Sequence, residues 1–412
     1  MMRSSVLTAA SLLALAGAAP RAARAADLLS RDAFSGVIIA GPSMGSGEAS
    51  WLKGGLGKLQ TGGDQVRVEG SAIMAWRGSF SERIGALVSA DAQSLANRAV
   101  GLDEAYVTLR PAPGAALGLS GRAGLFFPPA SLEHDGTEWS LARSLTPSAI
   151  DSWIAEEVKV AGAEVTLRGA VAGHPIGATV AAFQGNDTSG ALLTFRGWAL
   201  HDLRANLGGT FKLPTVPAMF SGKQAQATRP VDEVDGRWGG YVRLDYAPSQ
   251  TLALSLFGYD NNGDRTTVTN GQYAWRTRFA QVAARWTPDA NTEVLVQAMT
   301  GETAMGVAVN GREPADVGFA AAYGLVSRTL KTGTATVRLD QFSVSDRTFK
   351  ALDNNAEHGW AATAAWSLAV REGSEIVLEA IAVHSVRQDR SRFGEAARQD
   401  SVRGRAAFRT SF

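Results

Sequence analysis

Six carboxylates, Glu133, Asp135, Glu138, Asp151, Glu156 and Glu157, crowd into one stretch of this chain, and Arg143 is the one cation among them. Over the whole sequence arginine outnumbers lysine 33 to 7. A guanidinium is permanently charged, planar and stiffly forked, so it suits a fixed wall of donors. An acidic loop facing such a wall would set a transverse field across a narrow aqueous opening. That field orders water and favours dipolar, hydrophilic solutes over apolar ones. It is a chemistry of passage, with no bond made or broken. Any single arginine could equally solvate a lumen position or reach a lipid headgroup; only the set points to a pore.

Bond-making chemistry finds little support. His134, His174, His201, His358 and His384 are dispersed, with no pair at metal-binding spacing. Glu133-His134-Asp135 could touch a cation, but adjacent loop polars are more often solvated. Asn261-Asn262-Gly263-Asp264 reads as a turn rather than a calcium loop. No nucleophile elbow or phosphate loop occurs. The chain has no cysteine, which removes a thiol nucleophile, a cysteine metal site and a disulfide scaffold together. No catalytic residue, metal or other cofactor is expected. Lys+Arg is 40 against Asp+Glu 39, so there is no electrostatic case for nucleic acid.

The elements that must position these charges are strands. Val66, Val68, Gly70, Ala72, Met74 and Trp76 oppose Arg67, Glu69, Ser71 and Arg77. Trp360, Ala362, Ala364, Trp366, Leu368 and Val370 oppose Thr363, Ser367 and Arg371. Only a period of two separates such sets. Segments of this kind, roughly ten residues each, suit tilted membrane strands. They fall near 50–59, 65–77, 82–91, 102–110, 116–126, 158–172, 175–185, 190–199, 204–213, 236–247, 250–260, 273–287, 291–300, 316–329, 332–345, 357–371, 374–387 and 399–412. That is eighteen strands, or sixteen if a hairpin among the weaker segments 50–59, 175–185 and 204–213 is lost. Inward parity collects Arg67, Arg77, Arg122, Arg168, Arg196, Arg237, Arg243, Arg276, Arg278, Arg338, Arg403, Arg405 and Arg409 as the pore wall.

Every second connection is short, as in Thr287-Pro288-Asp289, Ala247-Pro248-Ser249 and Arg371-Glu372-Gly373, and those between are longer and more charged. This phase places both chain ends on the periplasmic side of a barrel. The longest connection is expected from Phe127 to Glu157, the third on the outer side. Its apolar anchors Leu132, Trp139, Leu141, Ile150, Trp153 and Ile154 argue for order. Aromatics gather at two levels: Trp76, Trp198, Tyr246, Trp286 and Phe412 near the short turns, and Trp238, Tyr259, Tyr273, Trp275 and Trp360 near the other rim. Interfacial girdles would place them so.

The two ends complete the picture. Met1-Met2-Arg3, the apolar run Val6 to Ala19 and Ala23-Arg24-Ala25 read as a Sec-type signal peptide, residues 1–25. Residues 26–49 are expected as an N-terminal periplasmic segment, too short for a plug domain, and 50–412 as the barrel. The last strand alternates Val402, Gly404, Ala406, Phe408, Thr410 and Phe412 against Arg403, Arg405 and Arg409. Ending on Phe412 resembles the C-terminal signal of bacterial outer-membrane β-barrels. The third loop resembles the constriction loop of 16- and 18-stranded porins. Gly121-Arg122-Ala123-Gly124-Leu125-Phe126-Phe127-Pro128-Pro129 with Ser131-Leu132-Glu133, and the strand Leu102-Asp103-Glu104-Ala105-Tyr106, are similar to segments of the phosphate-selective porin group, though no lysine cluster accompanies them.

The resemblance implies an all-β transmembrane antiparallel barrel in the outer membrane, with its third loop folded into the lumen. It implies a homotrimer, contact with outer-membrane lipid, recognition of Phe412 by the barrel-assembly machinery, and passive diffusion of small hydrophilic solutes. The arginines favour anions, and the loop carboxylates pull toward cations. A barrel-type outer-membrane enzyme and a soluble exported all-β binding protein remain the alternatives.

Overall fold

The structure, a computed structural model, describes residues 28–115, 117–348 and 353–412; the expected signal peptide lies outside them. Sixteen strands make one closed antiparallel barrel. They are β1 (Phe34–Ser46), β2 (Gln65–Ser79), β3 (Ile84–Gln93), β4 (Val100–Leu109), β5 (Gly118–Phe126), β6 (Val160–Val171), β7 (His174–Gln184) and β8 (Gly239–Tyr246). Then follow β9 (Leu252–Asp260), β10 (Arg276–Asp289), β11 (Thr292–Met305), β12 (Ala315–Leu330), β13 (Gly333–Asp346), β14 (Glu357–Arg371), β15 (Ser374–Arg387) and β16 (Arg398–Ser411). Each pairs with the next, and β16 pairs back with β1, from Val37↔Ser411 to Ser46↔Val402.

Phe412 finishes the closure. Its N–H donates to Gly36 O, and its carbonyl accepts from Gly36 N–H, both at 3.0 Å. A Cβ at Gly36 would stand 2.7 Å from the Phe412 ring, so this approach needs glycine. The β6–β7 turn holds Ala172 (φ 50°) and Gly173 (φ 82°), the left-handed pair that matches hairpin twist. Outward positions are apolar and exposed, Val66 and Val68 at 73% and 76% among them. Exposed Tyr246, Trp286 and Phe412 mark the rim of short turns, and exposed Trp238 and Trp360 the rim of long loops. Trp198, Tyr259, Tyr273 and Trp275 do not join those girdles, because all four are buried inside the barrel or its outer loops.

Four segments depart from the strand expectations. β1 takes up most of the stretch 26–49 expected to be periplasmic, so the wall begins at Phe34 rather than at residue 50. Its alternation is masked because inward Val37 and Ile39 are as apolar as the outward residues; they pack with Ile73, Val377 and Leu145. Residues 50–59 form no wall strand: Trp51–Lys53 is a 3-10 turn, and Trp51, Leu56 and Leu59 are buried. Residues 190–199 contain a helical turn, Leu192–Arg196, closed by Gly197 N–H to Leu192 O at 3.0 Å. Residues 204–213 run mostly irregularly, with only Phe211–Lys212 paired to Ala227–Thr228. All three carry apolar residues that face a core from inside a loop, where no period of two is imposed. Losing three strands and gaining one leaves sixteen, and the weakly patterned 175–185 is a real strand.

The longest connection is therefore 185–238, the fourth outer loop (L4), ahead of 127–159, the third (L3). Both fold inward, and with them the barrel acquires a packed interior.

Candidate functional site

L3 is seated by a short helix, α1 (Ala149–Ile154), whose N-terminus is capped by Ser148 Oγ accepting from Asp151 N at 3.1 Å. Its apolar side chains meet the far wall: Trp153 lies edge-on to Phe319 (5.2 Å), Phe279 (5.5 Å) and Trp198 (6.3 Å). Ile150, Ile154 and Val158 join the same cluster with Leu295, Met299, Tyr323 and Phe342. Burying an aromatic side chain of this size is worth about 1.5–3 kcal/mol, so this face of L3 is anchored apolar against apolar.

The loop carboxylates then find cations one by one. Glu133 accepts from Arg338 (2.9 Å) and from Ser148 N (2.8 Å). Asp135 bridges Arg143 and Arg285, each at 2.7 Å, and Arg143 also pairs with Glu293. Glu138 binds Arg77 and accepts from Ser35 Oγ at 2.6 Å. Glu156 meets His134 (2.9 Å) and Arg204 (3.4 Å). Glu157 takes a bidentate Arg196 at 2.5 and 3.0 Å and His201 at 2.9 Å. Burial pushes Glu157 up, but Arg196 and His201 outweigh it and hold the carboxyl below the ordinary glutamate value. Asp151 sits against Gln297 (3.3 Å) and Tyr323 (3.4 Å); burial and the neighbouring Glu133 raise it well above the usual range, favouring the neutral acid.

Nine wall arginines of the expected set do face the interior. Arg122 binds Glu164 (3.1 Å) and lies 4.1 Å over the Phe126 ring. Arg243 pairs with Asp245 (2.8 Å), and Arg403 with Glu69 while donating to Thr146 Oγ1 at 3.1 Å. Arg405 holds Asp202 (2.6 Å). Arg409 holds Glu375 (2.7 Å) and the Leu141 and Ser144 carbonyls of L3 at 2.8 and 3.0 Å. Arg77 and Arg338 bind L3 as described, Arg67 bonds Gln65, and Arg168 has no carboxylate partner among the described residues. Loop acid and wall arginine thus meet directly, as contacts that dock L3, instead of facing each other across water.

Four arginines stand elsewhere. Arg196 is on L4, not on a wall strand, because residues 190–199 turn helical inside the lumen. Arg237 precedes β8 and pairs with Asp264 (3.1 Å) on the outer loops. Arg276 and Arg278 point outward. On β10 the inward places belong to Thr277, Phe279 and Gln281, which are buried. Outside, Arg276 pairs with Asp260 (3.1 Å), Arg278 with Glu302, and Arg347 with Glu302 (3.1 Å) and Asp316 (2.5 Å). The outer ends of these strands run past the apolar band, where charge is cheap.

Sequence reading missed the residues that L4 and the first outer loop bring in. Lys58 donates to Arg196 O (3.0 Å) and pairs with Glu357 (2.8 Å), which also binds Arg387 (2.9 Å). Trp198 Nε1 donates to Ser343 O at 2.9 Å. Leu200 N donates to Lys58 O at 2.8 Å, and His201 N to Ser152 Oγ at 3.0 Å. Nothing local in the sequence marks these partners, since they lie far apart along the chain. The result is a filled waist: each of the sixteen strands contributes a buried inward residue, from Ser43, Glu69, Asp91, Asp103, Phe126 and Glu164 round to Thr179, Tyr241, Phe257, Gln281, Gln297, Tyr323, Arg338, Thr363, Glu379 and Arg403. On L4, Asp187, Glu233 and Asp235 bring carboxylate oxygens together closely enough to suit a cation, but backbone N–H groups already engage them, Val234 N on Asp187 (2.7 Å) and Gly185 N on Glu233 (2.6 Å).

No protein-family model matches the sequence, and no curated protein matches it. Solved structures do match in fold. The outer membrane channel DcaP of Acinetobacter baumannii is 11% identical with a TM-score of 0.55, over 93% of this chain and 99% of its own. A loop-deletion form of OmpT, an outer membrane protein of Vibrio cholerae, is 8% identical with a TM-score of 0.52, over 92% and 98%. The anion-selective porin from Comamonas acidovorans is 10% identical with a TM-score of 0.50, over 92% and 98%. At these identities the likeness establishes the fold, a closed sixteen-stranded barrel of the outer-membrane porin type.

Proposed function

We propose that this chain is an outer-membrane channel for passive diffusion of small hydrophilic solutes. The observation that carries the reading is the barrel's two-sidedness: a sixteen-stranded wall apolar outside, charged and hydrogen-bonded inside, with a long third loop docked in the lumen. Location in the outer membrane, assembly as a homotrimer and recognition of Phe412 by the assembly machinery belong to the same proposal, supported by the fold shared with porins. No catalytic step or cofactor is assigned. Purified protein in planar bilayers should give stepwise, ohmic conductance; a folded barrel that never conducts, under any variant below, would sink the reading. Deleting Phe412 should impair insertion without changing synthesis, because it removes both hydrogen bonds to Gly36.

Selectivity is proposed to tilt toward anions through the cations left unpaired at the periplasmic mouth, Arg168 above all. The paired arginines contribute less, since each carries its own carboxylate.

A further inference from the structure

One stretch in the first half of L4 lies where a solute would have to pass. Residues 201–207 cross the lumen between L3 and the wall of β2–β4 and β16. Asp202 N donates to Gln60 Oε1 (3.0 Å), and its carboxylate takes Arg405 (2.6 Å). Arg204 N donates to Gln93 Oε1 (2.7 Å), and its guanidinium reaches Asp103 (3.1 Å) and the Trp139 carbonyl of L3. Ala205 N donates to Glu156 O (2.7 Å) and Leu207 N to Leu102 O (3.0 Å).

We propose that this segment is a displaceable strap that occludes the constriction, so that conduction requires it to leave; the inference rests on the channel reading above. Three observations support it. The wall-side contacts just named are hydrogen bonds and ion pairs, whose groups water can satisfy once the strap leaves the wall, while Leu203 and Ala205 are held in the apolar cluster of Trp51, Phe195 and Phe211. Upstream, Leu193, Trp198 and Leu200 are anchored in the larger apolar core and would stay. Beneath the strap, Asp91, Gln93, Glu156, Asp202 and Arg204 line a cavity of about 30 Å3, large enough for water, and Asp91 Oδ1 lacks a hydrogen-bond partner there. Ile39, Ile73, Leu141 and Leu145 share the lining, and a void between loop and wall that holds an unsatisfied carboxylate oxygen is what remains of a path when its middle is covered. Beyond the strap, Gly208 sits at φ 76° and is followed by Gly209, a backbone able to turn as the segment swings.

The test uses the full chain in planar bilayers, with heat-modifiable gel mobility to certify folding. Inward Gly101 on β4 would place a Cβ 2.4 Å from Asn206 Cγ, so Gly101→Phe should push the strap out from the wall side. Arg204→Gln releases it more gently, by removing the Asp103 and Glu156 pairs. The absence of native cysteine allows a clean reporter, Asp91→Cys, whose modification by a water-soluble thiol reagent reads access beneath the strap. The expected result is rare, brief opening in wild type, several-fold higher open occupancy in either strap variant, and correspondingly faster modification of the reporter when combined with Arg204→Gln. Equal, sustained conductance in wild type and both variants would overturn the strap while leaving the channel intact. Silence in all three, with folded barrels, would overturn the channel reading and the strap with it.

Discussion

L3 and the strap of L4 fill the same lumen by opposite means. L3 turns Ile150, Trp153 and Ile154 into the aromatic wall of β9–β13, and five of its six carboxylates are then tied off by arginines. The strap meets the β2–β4 and β16 side through charge and hydrogen bonds, and only Leu203 and Ala205 tie it to an apolar cluster, that of Trp51, Phe195 and Phe211. Water cannot replace an apolar contact, but it can replace a polar one at a net cost of about 0.5–1.5 kcal/mol per hydrogen bond. One loop is thus a permanent part of the interior, and the other is held to the wall by bonds that an aqueous lumen can compete for.

The largest effects should fall on the L3 side. Trp153→Ala empties the centre of the aromatic cluster and should cost about 3–5 kcal/mol in denaturant unfolding from detergent. A loss under 1 kcal/mol would erase the contrast between the two loops. Arg338→Ala strands Glu133 and Asp340 in a buried site, where breaking one partner of an ion pair costs about 3–5 kcal/mol. Arg338→Lys should recover only part of this, because one ammonium cannot reach Glu133, Asp340 and the Thr146 and Pro147 carbonyls together.

A smaller effect, on L4 alone, comes with pH. Burial and then Glu233 raise Asp187 from its ordinary 3.8 to about 8. The packed loop therefore holds a proton that the freed loop releases, so this contribution is complete below pH 3.8 and is lost as pH rises through 8. Protection of residues 185–238 against hydrogen exchange, corrected for intrinsic rate, should fall across that window, and Asp187→Asn should flatten the trend. An unchanged slope in Asp187→Asn would assign the dependence to another group. A smaller change still is expected from Arg168→Ala, a shift of reversal potential toward cations with unitary conductance little altered. Arg122→Ala should shift it less, since Glu164 already neutralises that charge.

Strand periodicity made most of the wall legible, because lipid on one side and polar groups on the other impose a period of two. It failed at β1, where the inner face packs on Leu145 and is apolar too. It invented strands at 190–199 and 204–213, where apolar residues point into a core from a loop. The L3 carboxylates were legible as a cluster, and Arg77 and Arg338 as residues facing them. What they do there was not: local sequence cannot tell a charge facing water from one already bound to its partner. Arg276 and Arg278 show the same limit in register, since one misjudged parity moves both to the other side of the wall.

The outward ion pairs on β9–β12, Asp260, Arg276, Arg278, Glu302 and Asp316 with Arg347, have a consequence for how the barrel rides in its bilayer. Dragging an arginine to the midplane of a membrane costs about 2–4 kcal/mol, against about 0–1 kcal/mol near the interface. This sector therefore carries a float line that resists submersion. When the surrounding lipid thickens, the hydrocarbon must pucker down to meet that line, or the whole cylinder must list away from this sector.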